Sequence, residues 1–299
     1  MTEPARRFLD LGEGIVSYLA WDTAPPDAPH LHFAHATGLN AQTYVPLLAR
    51  LAGRFRVRAW DARGHGRTTL PADPADLATW ETYVADLARF LEALGEGPVL
   101  LAGHSMGATA SSEVLATRPD LAVGLVAVDP PMVSPETAAS IDATRAAGGQ
   151  IDPEIALRAG RRRADWPDRA SVRAAYLGRG AFQSWPDAWL DGYLDGGLVE
   201  TATGLSLSCT PAWEAATFRA VSTTIWQRMA QLRQPMTLLR ATIASTVSPE
   251  APATLSRLAP HVRQHVVEGA SHFLPMEHPD IVLAEIEALA RDLGLIGPG

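Results

Sequence analysis

The sequence predicts an α/β fold, a mostly parallel central sheet flanked by helices, with a helical cap inserted into it. Three observations carry this. Short apolar runs alternate with helix-spaced segments through residues 14–128. The pattern vanishes from Ser134 to about Gln234, where Ala-, Arg- and Asp-rich stretches replace it, and resumes at Met236. Within the first part, Val99-Leu100-Leu101-Ala102 runs straight into Gly103-His104-Ser105-Met106-Gly107 and a helical run to Arg118, a strand that turns sharply into a helix.

In chain order, Ile15, Val16, Tyr18, Leu19 and Trp21 form a β-type run, and the proline-rich turn Asp22 to Pro29 leads to a second, His30 to Ala34. His35-Ala36-Thr37-Gly38 follows at that strand's end. Such a small-residue loop can turn backbone N–H groups into a cleft, or it can be a tight turn without chemistry. Phe55 to Trp60 predicts a further strand, and Asp61-Ala62-Arg63-Gly64-His65-Gly66-Arg67 a polar loop. Asp61 and His65 invite a catalytic reading, but an Asp, Arg and His network that holds a loop is the commoner use. Tyr83, Val84, Leu87, Phe90, Leu91 and Leu94 fall at helical spacing, so 80–94 reads as an amphipathic helix closed by Gly95.

After the strand and helix around Ser105, which Pro119 stops, Val123 to Val128 is another buried strand, with Asp129-Pro130-Pro131 at its carboxyl end. Strands alternating with helices make a parallel sheet, and ligands gather beyond the carboxyl ends of its strands. Thr37, Ser105 and Asp129 all fall there. Residues 134–234 read as the helical cap, and 1–133 with 235–299 as the core domain. The cap holds five of the eight tryptophans, Trp166, Trp185, Trp189, Trp213 and Trp226. As a group they suggest a bulky apolar substrate, with Trp185 and Trp189 as candidates for the pocket wall. Met236 to Arg240 and Arg263 to Val267 resume the strand pattern. Gly269-Ala270-Ser271-His272-Phe273 follows, and Val282, Ile286, Leu289 and Leu293 mark a closing helix.

Composition narrows the function. A chain of 299 residues that is 47% hydrophobic has a real core. The net charge of −8 argues against a nucleic-acid partner, and Arg161-Arg162-Arg163, flanked by acids, reads as a solvated helix face. All 25 basic residues are arginine, which leaves no lysine for a Schiff base or a phosphate-binding loop. The single Cys209 has neither the partners nor the spacing of a disulfide or metal site, and no metal or cofactor is expected. Met1 to Gly14 lacks the apolar stretch of a signal peptide and no run is long enough to span a bilayer, so the expectation is a cytoplasmic protein with no membrane partner.

The chemistry centres on Ser105. Its two flanking glycines suit a strained turn that pushes the hydroxyl out of the sheet, and the helix beginning at Met106 aims its free N–H groups at the same point. Hydrolysis by a serine needs a base that titrates near neutrality, and His272, late in the chain behind a strand, is the best candidate.

Three segments in order, Asp61-x-Arg63-Gly64-His65-Gly66, Gly103-His104-Ser105-Met106-Gly107 and Gly269-Ala270-Ser271-His272-Phe273-x-Pro275-x-Glu277-x-Pro279, resemble recurrent motifs of the α/β-hydrolase superfamily over nearly the whole chain apart from the insertion. The resemblance implies oxyanion N–H groups on Thr37 and Met106, with Gly38 as the alternative to Thr37, since Ala36 stands where glycine is usual. It also implies a late acid after Met236 to Arg240, yet 241–249 contains no carboxylate. A minority of the family takes its acid from the end of the preceding strand. That position is Asp129, with Glu250 as its rival. A serine nucleophile, where dehalogenases and epoxide hydrolases of this fold use aspartate, points to acyl chemistry. The expected activity is a carboxylic-ester or lactone hydrolase acting on a small molecule through Ser105, His272 and Asp129. Cleavage of a C–C bond or an amide is the runner-up, and a non-catalytic receptor on the same fold is the rival from another class.

Overall fold

The computed structural model describes residues 2–297. Its main sheet has eight strands: β1 (Ala5–Asp10), β2 (Ile15–Trp21), β3 (His30–Ala34), β4 (Arg56–Trp60), β5 (Val99–His104), β6 (Ala122–Val128) and, after an excursion, β10 (Met236–Ile243) and β11 (Arg263–Ser271). They stand in the order β1-β2-β4-β3-β5-β6-β10-β11. The β1/β2 and β2/β4 pairs are antiparallel and the rest are parallel. This is the predicted sheet with one strand more. The additional β1, Ala-Arg-Arg-Phe-Leu-Asp, is an edge strand exposed along much of its length, so its residues carry little of the apolar signal that marks a core strand.

The parallel strands alternate their apolar side chains between two buried layers. On one side Leu101, Leu125 and Leu238 pack with Tyr83, Leu87 and Phe90 of helix α2 (Glu81–Leu94) and with Val114 and Leu115 of α3 (Met106–Thr117). On the other, Leu100, Val126 and Leu239 meet Leu47 and Leu48 of α1 (Val45–Leu48) and Val282, Ile286 and Leu289 of α12 (Pro279–Asp292). Each such side chain is worth about 1.5–3 kcal/mol on burial, and both faces of the sheet are covered, which is what a parallel sheet requires. Two short helices, α10 (Ala251–Leu258) and α11 (Leu274–Glu277), flank β11.

Between β6 and β10 lie α4 (Pro135–Ala146), α5 (Glu154–Gly160), α6 (Arg169–Tyr176), α7 (Asp187–Gly197), α8 (Pro211–Arg219) and α9 (Ile225–Gln231). The expectation of helices alone is corrected here, because β7 (Asp165–Trp166), β8 (Leu198–Thr201) and β9 (Gly204–Leu207) form a separate antiparallel sheet. Strands of two to four residues are too short to show a period. The segment lies over loops at the carboxyl ends of the core strands. Trp189 on α7 packs edge-on against Tyr44, Asn40 Nδ2 donates to Tyr193 O at 3.0 Å, and Trp213 Nε1 donates to Arg63 O at 3.0 Å. Close helix approach requires small residues here, since a Cβ on Gly192 would sit 2.5 Å from Gln42 O.

Candidate active site

β5 delivers Ser105 at φ 54°, ψ −123°, in the left-handed half of backbone space that a non-glycine residue rarely enters. Both glycines are required by contact. A Cβ on Gly107 would lie 2.3 Å from Ala34 O, and one on Gly103 would lie 2.8 Å from Ala108 N. The turn leaves the Met106 N–H at the head of α3 without an acceptor among the described residues, and the same is true of the Thr37 N–H after β3.

The loop that carries Thr37 is tied at every neighbouring group. Ala36 N–H donates to Tyr44 OH at 3.3 Å, Ala36 O accepts from His35 Nδ1 at 2.8 Å and from Leu39 N at 3.1 Å, and Gly38 N–H donates to His65 Nε2 at 3.0 Å. The N–H of Gly38, the alternative to Thr37, is thus spent on His65, whereas that of Thr37 has no partner among the described residues. His65 Nδ1 in turn donates to Arg63 O at 2.8 Å and His35 Nε2 accepts from Ala62 N at 2.9 Å, which requires both rings to be neutral. Burial keeps them so, lowering His65 to about 3 and His35 below its ordinary value. Asp61 accepts from Arg6 at 2.8 Å, Ala41 N at 2.9 Å and Arg67 N at 3.1 Å, so this cluster holds loops, as its composition suggested.

Asp129 ends β6 at φ 44° with no exposed surface. Its Oδ2 accepts from His272 Nδ1 at 2.7 Å and from Thr246 N at 3.0 Å, and its Oδ1 from Ala241 N at 2.9 Å and Ser245 Oγ at 2.6 Å. Burial alone would raise this carboxyl, but the bonds from His272, Ser245 and Ala241 hold it below the ordinary carboxylate range. Ala244 completes the loop at φ 49°. The segment 241–249, which lacks an acid of its own, supplies the donors that fix the acid of the neighbouring strand. Glu250 is exposed at the start of α10 and the structure does not bring it to His272.

Because Nδ1–H of His272 is given to Asp129, Nε2 is left as the acceptor. Glu277 fixes the loop before it, accepting from Ser271 N at 2.8 Å, from Ser271 Oγ at 2.7 Å and, across from the inserted segment, from Ser184 Oγ at 2.6 Å. His104 joins the pieces. Its Nε2 donates to the carbonyl of His272 at 2.8 Å and its Nδ1 accepts from Tyr44 OH at 2.7 Å, and burial lowers its pKa to about 3. Tyr44 and His104 are 60 positions apart and Ser184 and Glu277 are 93 apart, so nothing local in the sequence marks these supports.

Trp185 is buried edge-on against Phe273, the neighbour of His272, at 5.4 Å between centroids, whereas Trp189 is buried one layer away against Tyr44. The arginine cluster departs from its expected role. Arg161 and Arg163 are exposed, but Arg162 turns inward to Glu214 and to the hydroxyls of Tyr193 at 2.8 Å and Tyr176 at 3.1 Å. Burial raises the Glu214 carboxyl against the pull of Arg162. The guanidinium stays charged because Tyr193 and Glu214 offset its own burial. Cys209 is buried and unpaired. Among the described residues no group of His, Cys, Asp and Glu is arranged to hold a metal ion, and no helix is long and apolar enough to cross a membrane. Two shallow surface recesses, one between Pro25 and Ile296 and one between Pro167 and Glu200, contain none of the residues above.

The chain is 30% identical over 265 residues, 86% of each protein, to a 2-(acetamidomethylene)succinate hydrolase of Mesorhizobium japonicum. It is 36% identical over 121 residues, 39% of the chain and 43% of the relative, to a bifunctional esterase/perhydrolase of Acinetobacter calcoaceticus. Among solved structures it superposes on an E-2-(acetamidomethylene)succinate hydrolase with a TM-score of 0.75 at 26% identity, covering 98% of this chain and all of that one. The family model for the alpha/beta hydrolase family matches residues 33–285. The sheet order, the strained serine turn and these matches together place the chain in the alpha/beta hydrolase family.

Proposed function

We propose that this hydrolase works through a covalent acyl-enzyme on Ser105. His272 Nε2 takes the Ser105 proton as the hydroxyl attacks a substrate carbonyl. Asp129 holds the imidazole in the tautomer that leaves Nε2 free and offsets the charge it acquires, and the N–H groups of Thr37 and Met106 receive the oxyanion. His272 then returns the proton to the leaving group, and water, activated by the same imidazole, releases the acyl group. The observation that carries this reading is the 2.7 Å contact between His272 Nδ1 and a fully buried Asp129. Residues 134–234 act in it as a cap, and Trp185, through Phe273, as the part of the pocket wall beside the imidazole.

On the bond cleaved, the serine nucleophile alone favours an ester or lactone. The relative named 2-(acetamidomethylene)succinate hydrolase moves amide or C–C cleavage ahead of it, and the esterase/perhydrolase relative keeps esters as the second reading. All of these begin with the same attack on a carbonyl. The test is a panel of an N-acyl enamine, a vinylogous diketone and a phenyl ester, with Ser105→Ala as control. The first or second is expected to have the highest kcat/KM, and Ser105→Ala to be inactive on all three. Turnover of the ester alone would reverse the order of bonds. Equal rates with Ser105→Ala would refute the acyl-enzyme.

A further inference from the structure

The Arg162–Glu214 pair is a charged group that the acyl-enzyme mechanism does not use. Glu214 packs directly on the loop that carries the Thr37 N–H, since a Cβ on Gly38 would lie 2.5 Å from Glu214 Oε1. On its other side the pair reaches towards the imidazole: Arg162 bonds Tyr193, whose ring lies 6.3 Å from that of Trp185, and Trp185 packs on Phe273 beside His272. A chain of contacts thus links the pair to the Thr37 loop on one side and to the His272 loop on the other. The side chain of Glu214 is 9% exposed and that of Arg162 22%.

A half-buried guanidinium over such a loop is the group that recognises a carboxylate, through a charge-assisted, two-pronged contact. Here a carboxylate of the chain itself already occupies it. The pair has no net charge, and an incoming carboxylate would meet Glu214 at close range, where like charges are strongly unfavourable.

We propose that Glu214 is a specificity-determining residue that fills the place a substrate carboxylate would take on Arg162, so that the site accepts uncharged substrates and turns away those bearing a carboxylate near the carbonyl. This rests on the acyl-enzyme reading above. The alternative role, a brace for the cap, gives the pair no effect on which substrate is chosen.

The test uses two matched pairs of phenyl esters: phenyl acetate with 4-acetoxybenzoate, which places the charge on the leaving group, and phenyl pentanoate with monophenyl glutarate, which places it on the acyl group. The wild type is expected to favour the uncharged member of each pair in kcat/KM. Glu214→Gln keeps the shape and frees the charge of Arg162, so it should shift the ratio towards the anionic member by about tenfold or more in at least one pair, about 1.4 kcal/mol. Glu214→Asp should retain the wild-type ratio, and the double variant Arg162→Met with Glu214→Gln should lose the gain. Ratios in both pairs within about threefold of wild type in a folded Glu214→Gln would overturn the proposal. A measurement on the wild type alone stands if that variant does not fold: millimolar succinate should fail to protect Ser105 from a fluorophosphonate, and protection would overturn the proposal. Turnover and labelling with unchanged ratios sink the role of Glu214 only. Absence of both turnover and labelling sinks the acyl-enzyme reading with it.

Discussion

Replacing Asp129 by asparagine changes one atom and tests the acid at its weakest tolerance. Every polar partner of the carboxylate is a donor: Ala241 N and Ser245 Oγ to Oδ1, and Thr246 N, Thr246 Oγ1 and His272 Nδ1 to Oδ2. An amide nitrogen must therefore face a donor whichever way it turns. Placed at Oδ2 it donates to His272 Nδ1, which drives the ring proton to Nε2, the nitrogen that the proposed mechanism needs free to take the Ser105 proton. Placed at Oδ1 it keeps the tautomer but opposes the Ala241 N–H, and it offers the imidazolium no negative charge. The first orientation is the one that lowers kcat by about 10⁴ in serine proteases, or about 5.4 kcal/mol of transition-state stabilisation. Either orientation leaves one buried backbone N–H unsatisfied, worth about 1–3 kcal/mol of stability, which lowers the melting temperature by several degrees in a domain of this size. The assay is kcat at saturating substrate beside thermal unfolding of the same sample, with Glu250→Gln as comparison. That exposed carboxylate should change kcat less than about tenfold. A folded Asp129→Asn with kcat within about tenfold of wild type, or a larger loss in Glu250→Gln, refutes the assignment.

The buried histidines make stability depend on pH. His32 is 1% exposed, neither ring nitrogen has a partner, and burial lowers its pKa to about 3 from 6.5. Between those values the unfolded chain binds a proton that the native state refuses, so native stability falls as pH drops through 6.5 and continues to fall towards 3. At pH 5 this amounts to about 2 kcal/mol. His32→Phe should therefore stabilise the protein by that much more at pH 5 than at pH 8 in urea unfolding, and a parallel shift at both pH values would contradict it. Gly107→Ala forces a Cβ to 2.3 Å from Ala34 O and should abolish activity and lower the melting temperature; an active variant of wild-type stability would mean the turn is not strained as described. Trp185→Ala should reduce kcat/KM for a bulky aryl substrate more than for a small acetyl one, because an indole lining the proposed pocket would pack on the apolar part of a substrate and not on its carbonyl. Equal losses would make Trp185 only a support for the cap.

How far the sequence could be read depended on the range of the interaction. The turn at Ser105 is local chemistry, two glycines around a serine between an apolar strand and a helix, and it folds as its residues imply. Asp129 was named from the family resemblance, beside its rival Glu250, once 241–249 showed no carboxylate, and of the two it is Asp129 that meets His272, at 2.7 Å. The donors that hold it, Ser245 and Thr246, come from a loop more than 100 residues away in which the sequence shows only the lack of a carboxylate. Gly38 was a reasonable oxyanion donor until His65, 27 positions on, claimed its N–H. Arg162 misled for a similar reason: between two exposed arginines it looked solvated, and only its distant partner Glu214 turns it inward. β7, β8 and β9 escaped because strands so short have no period to detect.

The most direct measurement is peptide mass spectrometry of the protein after reaction with a fluorophosphonate at neutral pH. One adduct is expected, on Ser105, formed rapidly in the wild type, absent in Ser105→Ala and strongly slowed in His272→Ala and Asp129→Asn. An adduct on another residue, or labelling of Ser105 at the wild-type rate in both of those variants, would contradict a nucleophile activated by His272 and Asp129.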